Sequence, residues 1–413
     1  MYFIKKGDKS KCTFVGLFIG LLGLLSCQNN DRALMPDASP TVIQMTEFPA
    51  EDPFMAFAQQ FADSLEWSMY VHGCPGLAVA IVHDTNTLIK KGFGVENANT
   101  GYRVNTNSVF RLGSVSKGFA AILTQILVKE KYFNWEDQVI KYVPEFKLKT
   151  QEQTEKVTIK NLLSQSTGLP PHTFTNQIEN GLSLDEIMPM LENVNLVADT
   201  GQICTYQNVT YAIIEKVIES ATGKPFGQLL KEKIFIPLGM ENASMDCEQM
   251  WMAKSKASPH KFDRSSESFV PAEYNEKYYN IISAGGVNAS ISDMDKYLKL
   301  LMGKYPEILE REALEKFFIP VVSSGYERKY FHRWEDLVHD YYALGWRVFD
   351  YNGERWIYHG GFVNGFRAEV AINLKYDISI CMLFNSTCHL SDLATKMFFD
   401  QFIEYNYCQR QQL

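Results

Sequence analysis

Phe110-Arg111-Leu112-Gly113-Ser114-Val115-Ser116-Lys117-Gly118 is the stretch from which the rest of the chain can be read. It ends a run rich in β-formers and opens the apolar segment Phe119 to Val128, which has helical length and good helix formers before Lys129-Glu130. Ser114 is therefore expected in the first turn of a buried helix, where backbone N–H groups lack partners and the dipole is positive. Lys117 follows three residues later, about 4.5 Å along the axis on the same face. A hydroxyl is a poor nucleophile until a base removes its proton, and a lysine can do so only where burial and neighbours lower its pKa. Ser-x-x-Lys at a buried helix start supplies that pair. The motif is short, and Ser258-Pro259-His260-Lys261 repeats it by chance. Taken alone, it leaves open a capping serine followed by a solvated lysine.

Two later stretches add context. Cys204-Thr205-Tyr206-Gln207-Asn208 precedes a segment of helical periodicity, Val209 to Ile218. Trp356-Ile357-Tyr358-His359-Gly360-Gly361-Phe362 runs from a strand-like segment into a glycine pair. In this order, Ser-x-x-Lys, Tyr-x-Asn and a basic residue before x-Gly, the chain resembles the penicillin-recognising serine hydrolases, more specifically the class C β-lactamase branch with its esterase and DD-peptidase relatives. Leu162 to Pro170, Ile236 to Met240 and Gly285 to Ser290 are supporting phrases, and the likeness covers about Phe54 to about Tyr405. Tyr-x-Asn also occurs at Tyr132-Phe133-Asn134 and Tyr278-Tyr279-Asn280, so order and context carry the assignment.

The resemblance implies a role for each residue. Ser114 would attack a carbonyl and become acylated, Lys117 would accept or share its proton, and Tyr206 would protonate the leaving group and later activate water. Asn208 would hold Lys117 and the substrate amide or ester. The oxyanion would lie between the backbone N–H groups of Ser114 and Phe362, with Gly361 letting substrate approach the backbone. Many β-lactamases and DD-peptidases of the family have Lys-Thr-Gly where this chain has His359-Gly360-Gly361. Histidine titrates near neutrality, so carboxylate-bearing substrates are expected to react weakly at high pH and better toward pH 6. Three functions remain: a hydrolase of β-lactams or D-Ala-type cell-wall peptide amides, a carboxylesterase of the same fold, or a non-catalytic ligand-binding lipoprotein. The intact Ser-Lys-Tyr set disfavours the third.

The 413 residues carry 46% hydrophobic and 13% aromatic side chains, enough to fill a large core. A net charge of −8, without a basic patch interleaved with aromatics, excludes a nucleic-acid partner. Lys5, Lys6, Lys9 and Lys11 followed by the apolar run Phe14 to Leu25 read as an export signal. Leu24-Leu25-Ser26-Cys27 resembles a bacterial lipoprotein signal, with Cys27 the lipidated residue, membrane contact through that lipid, and a location in the cell envelope. Cys74, Cys204, Cys247, Cys381, Cys388 and Cys408 remain; disulfides are allowed, but no pairing is readable. Cys204 reads as a small buried hydrophobe. The histidine and cysteine spacings give no metal site, and no cofactor is expected. Gly-x-Ser-x-Gly is absent.

Residues 28–53 lack periodicity and read as a tether. Phe57, Phe61, Leu65 and Met69 recur at helical spacing, and Asp84-Thr85-Asn86 joins two strand-like runs into a hairpin. Helices and loops are expected from 113 to 282. Strands return at Tyr342 to Phe349, Glu354 to Tyr358, Phe366 to Ile372 and Ile378 to Phe384, and a helix closes the domain at about Leu390 to Tyr405. His332 and His339 fall in a charged, aromatic loop. The expected architecture is α/β. An antiparallel sheet drawn from 54–112 and 283–405 is flanked by N- and C-terminal helices and carries an inserted helical lobe. This is the two-lobed β-lactamase/transpeptidase-like fold that the resemblance implies, as a single domain over 54–405, expected to be a monomer acting on a small-molecule or peptide substrate.

Overall fold

The structure is a computed structural model describing residues 52–325, 334 and 337–411; the signal, Cys27, the tether before Asp52 and His332 lie outside the described residues. Helix α1 (Met55–Val71) precedes the hairpin of β1 (Gly76–His83) and β2 (Asn86–Gly94). The short β3 (Val109–Arg111) leads into one 3₁₀ turn, Gly113–Val115, that continues as α2 (Ser116–Lys129). Short helices and loops follow as far as residue 282, with α3 (Val209–Thr222) the longest helix among them and one small hairpin, His260–Asp263 with Ser268–Pro271. Strand β4 (Asn288–Ser290) pairs with β3, and α4 (Ile291–Leu301) begins at once. Its start is a capping box: Ser290 Oγ accepts from Asp293 N (3.2 Å), and Asp293 Oδ2 accepts from Ser290 N (2.9 Å). The chain finishes with β5 (Val322–Ser323), β6 (Leu337–Tyr342), β7 (Arg347–Tyr351), β8 (Glu354–Val363), β9 (Phe366–Asn373), β10 (Ile378–Phe384) and α5 (His389–Gln411).

Eight strands form one antiparallel sheet in the order β2-β1-β10-β9-β8-β7-β6-β5. The ends of the chain therefore meet at β1 and β10, where Leu77 faces Phe384 and Ile81 faces Ile380. Both faces of β1 are covered, which is why it reads as a continuous apolar run. Leu77, Val79 and Ile81 pack with Phe57, Phe61 and Leu65 of α1 and Phe398, Phe399 and Phe402 of α5. Ala78, Ala80 and Val82 face the other way, into the core shared with α2, α3 and α4. The fold is α/β, with both terminal helices on one face of a large antiparallel sheet and the helical segments inserted into its sequence on the other. No described helix is long and apolar enough to cross a membrane.

Local details differ from the sequence reading. Tyr342 to Phe349 is not one strand: β6 ends at Tyr342 and β7 starts at Arg347. The reversal uses Gly345 at φ +77°, and Ala343 N–H donates to Trp346 O (2.8 Å). Every residue from Tyr342 to Phe349 is buried, so apart from Arg347 the run stays apolar and periodicity gives no sign of the reversal. Strand β8 runs on through Gly360 and Gly361 to Val363, beyond the Tyr358 at which the sequence reading ends the strand. The segment ending near Phe110 pairs with β4 in a separate two-stranded sheet.

Candidate active site

Ser114 lies in the 3₁₀ turn ahead of α2, and Lys117 lies in that helix's first turn. Lys117 is fully buried, with Nζ 3.4 Å from Ser114 Oγ. It also donates to Asn208 Oδ1 at 2.7 Å and to the Ala284 carbonyl at 2.9 Å. Asn208 occupies the N-cap position of α3, yet its side chain makes no capping bond; the amide is turned to Lys117 instead. These two acceptors fix the amine where it can reach the serine, which a long, flexible lysine would not do unaided.

Tyr206 reaches the same place from the loop before α3. Its ring centre is 4.7 Å from Lys117 Nζ, and the residue is buried, with 9% exposure. The loop is strapped to the Leu162–Pro170 phrase. Thr205 N–H donates to Gln165 O (2.8 Å), Gln207 N–H to Gln165 Oε1 (2.7 Å), and Gln207 Nε2 to the Pro170 carbonyl. His172 N–H donates to Tyr206 O at 2.8 Å. Gln165 sits at φ +59°, a left-handed conformation of the kind that collects at functional sites when the surroundings enforce it.

On the opposite side, β8 crosses the Leu112–Ser114 turn at backbone distance. A Cβ on Gly361 would collide with the Leu112 carbonyl and come within 3.0 Å of Ser114 N. A Cβ on Gly113, which has φ +51°, would lie 2.8 Å from Phe362 N. Glycine at both positions lets the β8 backbone beside Phe362 pack directly against the turn that carries Ser114, and backbone amides of two segments that close together can stabilise an oxyanion. Phe362 is 57% exposed at the border of the site.

His359 departs from the sequence expectation of a group titrating near neutrality. It is 1% exposed, and burial, reinforced by the Lys117 and Arg347 charges, pushes its pKa well below 6.5. Its contacts fit a neutral ring: Nδ1 lies 2.9 Å from the Gly360 carbonyl and so donates, leaving Nε2 to accept from the Tyr342 hydroxyl at 3.1 Å. The residue borders the site as an uncharged hydrogen-bonding group, not as a cation.

A cavity of about 700 Å³ joins these groups, bordered by Ser114, Tyr206, Asn208, His359, Gly360 and Phe362. Its other walls bring residues that the sequence reading left aside: His172, Thr175, Glu179, Tyr278, Arg347 and Arg367. The Arg347 guanidinium lies 5.5 Å from the Tyr206 ring centre, and Arg367 pairs with Glu369. Behind the site, Glu215 accepts from the backbone N–H (2.7 Å) and hydroxyl (2.6 Å) of Ser283, next to the Ala284 that holds Lys117. Burial raises the Glu215 carboxyl to about 7 against the opposing pull of those hydrogen bonds. Ala284 acts through its carbonyl, which leaves no mark in a sequence. Glu215 sits at a helical position three residues from Ala212 and could have been found only as a carboxylate on an otherwise apolar face. Ser258 bonds Asn97 (2.9 Å), apart from the cavity, consistent with a chance Ser-x-x-Lys there. Among the described residues no group of three or more His, Cys, Asp or Glu side chains could hold a metal ion.

The family profile described as Beta-lactamase matches residues 52–395. The chain belongs to the β-lactamase family. Family members are generally hydrolases, and the site described above lies within the matched span. Among curated relatives, this β-lactamase-family chain is 26% identical over 353 residues to "Unguisins hydrolase ungD'" of Aspergillus campestris, covering 82% of this chain and 63% of the relative. The chain thus spans less than two thirds of the length of that relative. Among solved structures, it superposes on the octameric penicillin-binding protein homologue from Pyrococcus abyssi with a TM-score of 0.72 at 23% identity, covering 83% of this chain and 77% of the other. EstCE1, a hydrolase with promiscuous acyltransferase activity, gives a TM-score of 0.71 at 15% identity, covering 85% of this chain and 99% of the other. Identities this low establish a shared fold only.

Proposed function

We propose that this chain hydrolyses amide or ester bonds through an acyl-enzyme on Ser114, with β-lactams or D-Ala-type cell-wall peptides as the acyl donors. The observation that carries this reading is the Lys117 amine, 3.4 Å from Ser114 Oγ and held there by Asn208 and Ala284 at the edge of an open cavity. In the proposed cycle Lys117 takes the serine proton as Oγ attacks, and the oxyanion is held between the Ser114 and Phe362 amides. Tyr206 protonates the leaving group and then activates the water that frees Ser114. Carboxylesterase action is the second reading. It is favoured by the neutral His359 standing where many members of the family have lysine, because a fixed charge for a substrate carboxylate is missing at that position.

Intact-mass measurement after exposure to a penicillin and to a short-chain p-nitrophenyl ester tests both readings. Each productive substrate is expected to add its acyl mass to Ser114, and an adduct mapped to any other residue overturns the assignment. Because His359 stays neutral, the ratio of penicillin to ester acylation rates is expected to be the same at about pH 6 and about pH 8. A severalfold rise of that ratio toward pH 6 would restore a titrating, carboxylate-facing histidine.

We also propose that the chain is exported and anchored through lipid on Cys27, supported by the basic, apolar and Leu-Leu-Ser-Cys pattern at its start. Cys27→Ala should move the protein from the membrane fraction to the soluble fraction of cells; retention in the membrane would refute the anchor.

A further inference from the structure

Two cysteines far apart in sequence meet where the first and last strands of the sheet end together. Leu77 faces Phe384 in the antiparallel register of β1 and β10, and Asn385 N–H still donates to Gly76 O (3.1 Å) beyond the last paired residues. Continued outward, that register sets Cys74 beside Thr387 and Cys388. The side chains follow the backbone: Cys74 Sγ is 3.6 Å from Ser386 Oγ, two residues before Cys388, and both cysteines lie in one buried cluster in which each thiol shifts the other's pKa. Both are buried, at 5% and 2% exposure, in the apolar layer under α1 and α5. The other buried cysteines lie elsewhere: Cys381 faces the opposite side of the sheet and Cys204 belongs to a separate cluster.

We propose that Cys74 and Cys388 are joined by a disulfide in the mature protein, tying the start of β1 to the start of α5. The chemistry is asymmetric. Cys388 immediately precedes α5, where the neighbouring Cys74 thiol and the backbone amides of Ser391 and Leu390 favour its thiolate, while the nearby Cys388 and burial hold Cys74 as a thiol. The Cys388 thiolate attacks a small or protein disulfide, R–S–S–R, expelling one RS⁻ and forming a mixed disulfide. Cys74 then loses its proton and attacks the Cys388 sulfur, expelling the second RS⁻. Two cysteine thiols are oxidised and one disulfide is reduced to two thiols. The bond restrains the unfolded chain over nearly the whole fold, which is the situation in which a cross-link stabilises most.

The test is refolding of the full chain with oxidised and reduced glutathione, followed by alkylation, proteolysis and mass mapping without reductant. A Cys74–Cys388 cross-linked peptide is expected, together with a Tm about 4 °C higher than that of the reduced protein. Cys74→Ala and Cys388→Ala are each expected to remove the redox dependence of Tm. If either variant does not fold, the wild-type peptide map decides. Alkylation of both cysteines after oxidative refolding, a link from either to another cysteine, or a Tm that ignores reductant would overturn the proposal. The experiment is independent of export and of acylation at Ser114, so failure of those readings leaves its outcome unchanged.

Discussion

Ser114→Ala is expected to lower kcat/KM by up to about 10⁶-fold, the scale seen when the nucleophile of an acyl-enzyme mechanism is removed. Folding should survive, because the lost hydroxyl lies at the edge of an open cavity and makes no helix-capping bond. Lys117→Ala and Tyr206→Phe should each cost about 10²–10⁴-fold, the range for a positioned proton-transfer group. If the two side chains share one proton-transfer task, the double variant should lose only a few-fold more than the worse single one. The geometry supports such sharing: one amine reaches Ser114 Oγ at 3.4 Å and lies 4.7 Å from the Tyr206 ring centre. Lys117→Ala also removes a buried donor from Asn208 Oδ1 and the Ala284 carbonyl, and each abandoned acceptor costs about 1–3 kcal/mol. Its kinetics therefore need to be compared below its own melting transition, with circular dichroism as the control. Tyr206→Phe keeps the ring and should melt close to wild type. Steady-state rates for the four proteins on one ester decide the matter, and losses that simply add on a logarithmic scale would count against a shared task.

The sequence exposes some parts of this arrangement well and others not at all, for physical reasons. Gly76 to Val82 is legible as a strand because its length and turn flank agree, and burial on both faces makes its continuous apolar run the correct pattern. The same logic fails at Tyr342 to Phe349, where burial hides a chain reversal and only Gly345 signals it. Ser114 and Lys117 are legible as a pair since helix geometry converts three residues of spacing into side-chain proximity. Asn208 shows the limit of local reading: its position is that of a cap, but its amide serves Lys117, ninety-one residues away in sequence. The charge state of His359 is set first by burial and then by the Lys117 and Arg347 charges, and neither is a near neighbour in sequence. Ala284 holds Lys117 through its carbonyl, so no residue pattern could announce it, whereas the backbone amides of Ser114 and Phe362 come to notice only through the family resemblance.

Gly361→Ala is expected to lower kcat by about 10²–10³-fold, the loss that follows removal of one oxyanion donor. The added methyl has nowhere to go. It would strike the Leu112 carbonyl, which is backbone and cannot swing aside, and would approach Ser114 N to 3.0 Å. Strand β8 would have to lift away from the Leu112–Ser114 turn, carrying the Phe362 amide out of reach of a developing oxyanion. A displacement of about 1 Å suffices for such a loss. The strand is held between two neighbours, Gly361 facing Ala368 on β9 and Tyr358 facing Arg347 on β7, so the sheet should persist while the local fit is lost. Phe362→Ala makes the complementary test. Its side chain is 57% exposed and its backbone amide is retained, so kcat should change by less than about tenfold, with any effect falling on KM. Measuring kcat and KM for both variants, with thermal melts to confirm folding, separates backbone from side chain. A Gly361→Ala protein that folds and turns over within threefold of wild type would place the oxyanion somewhere other than between Ser114 and Phe362.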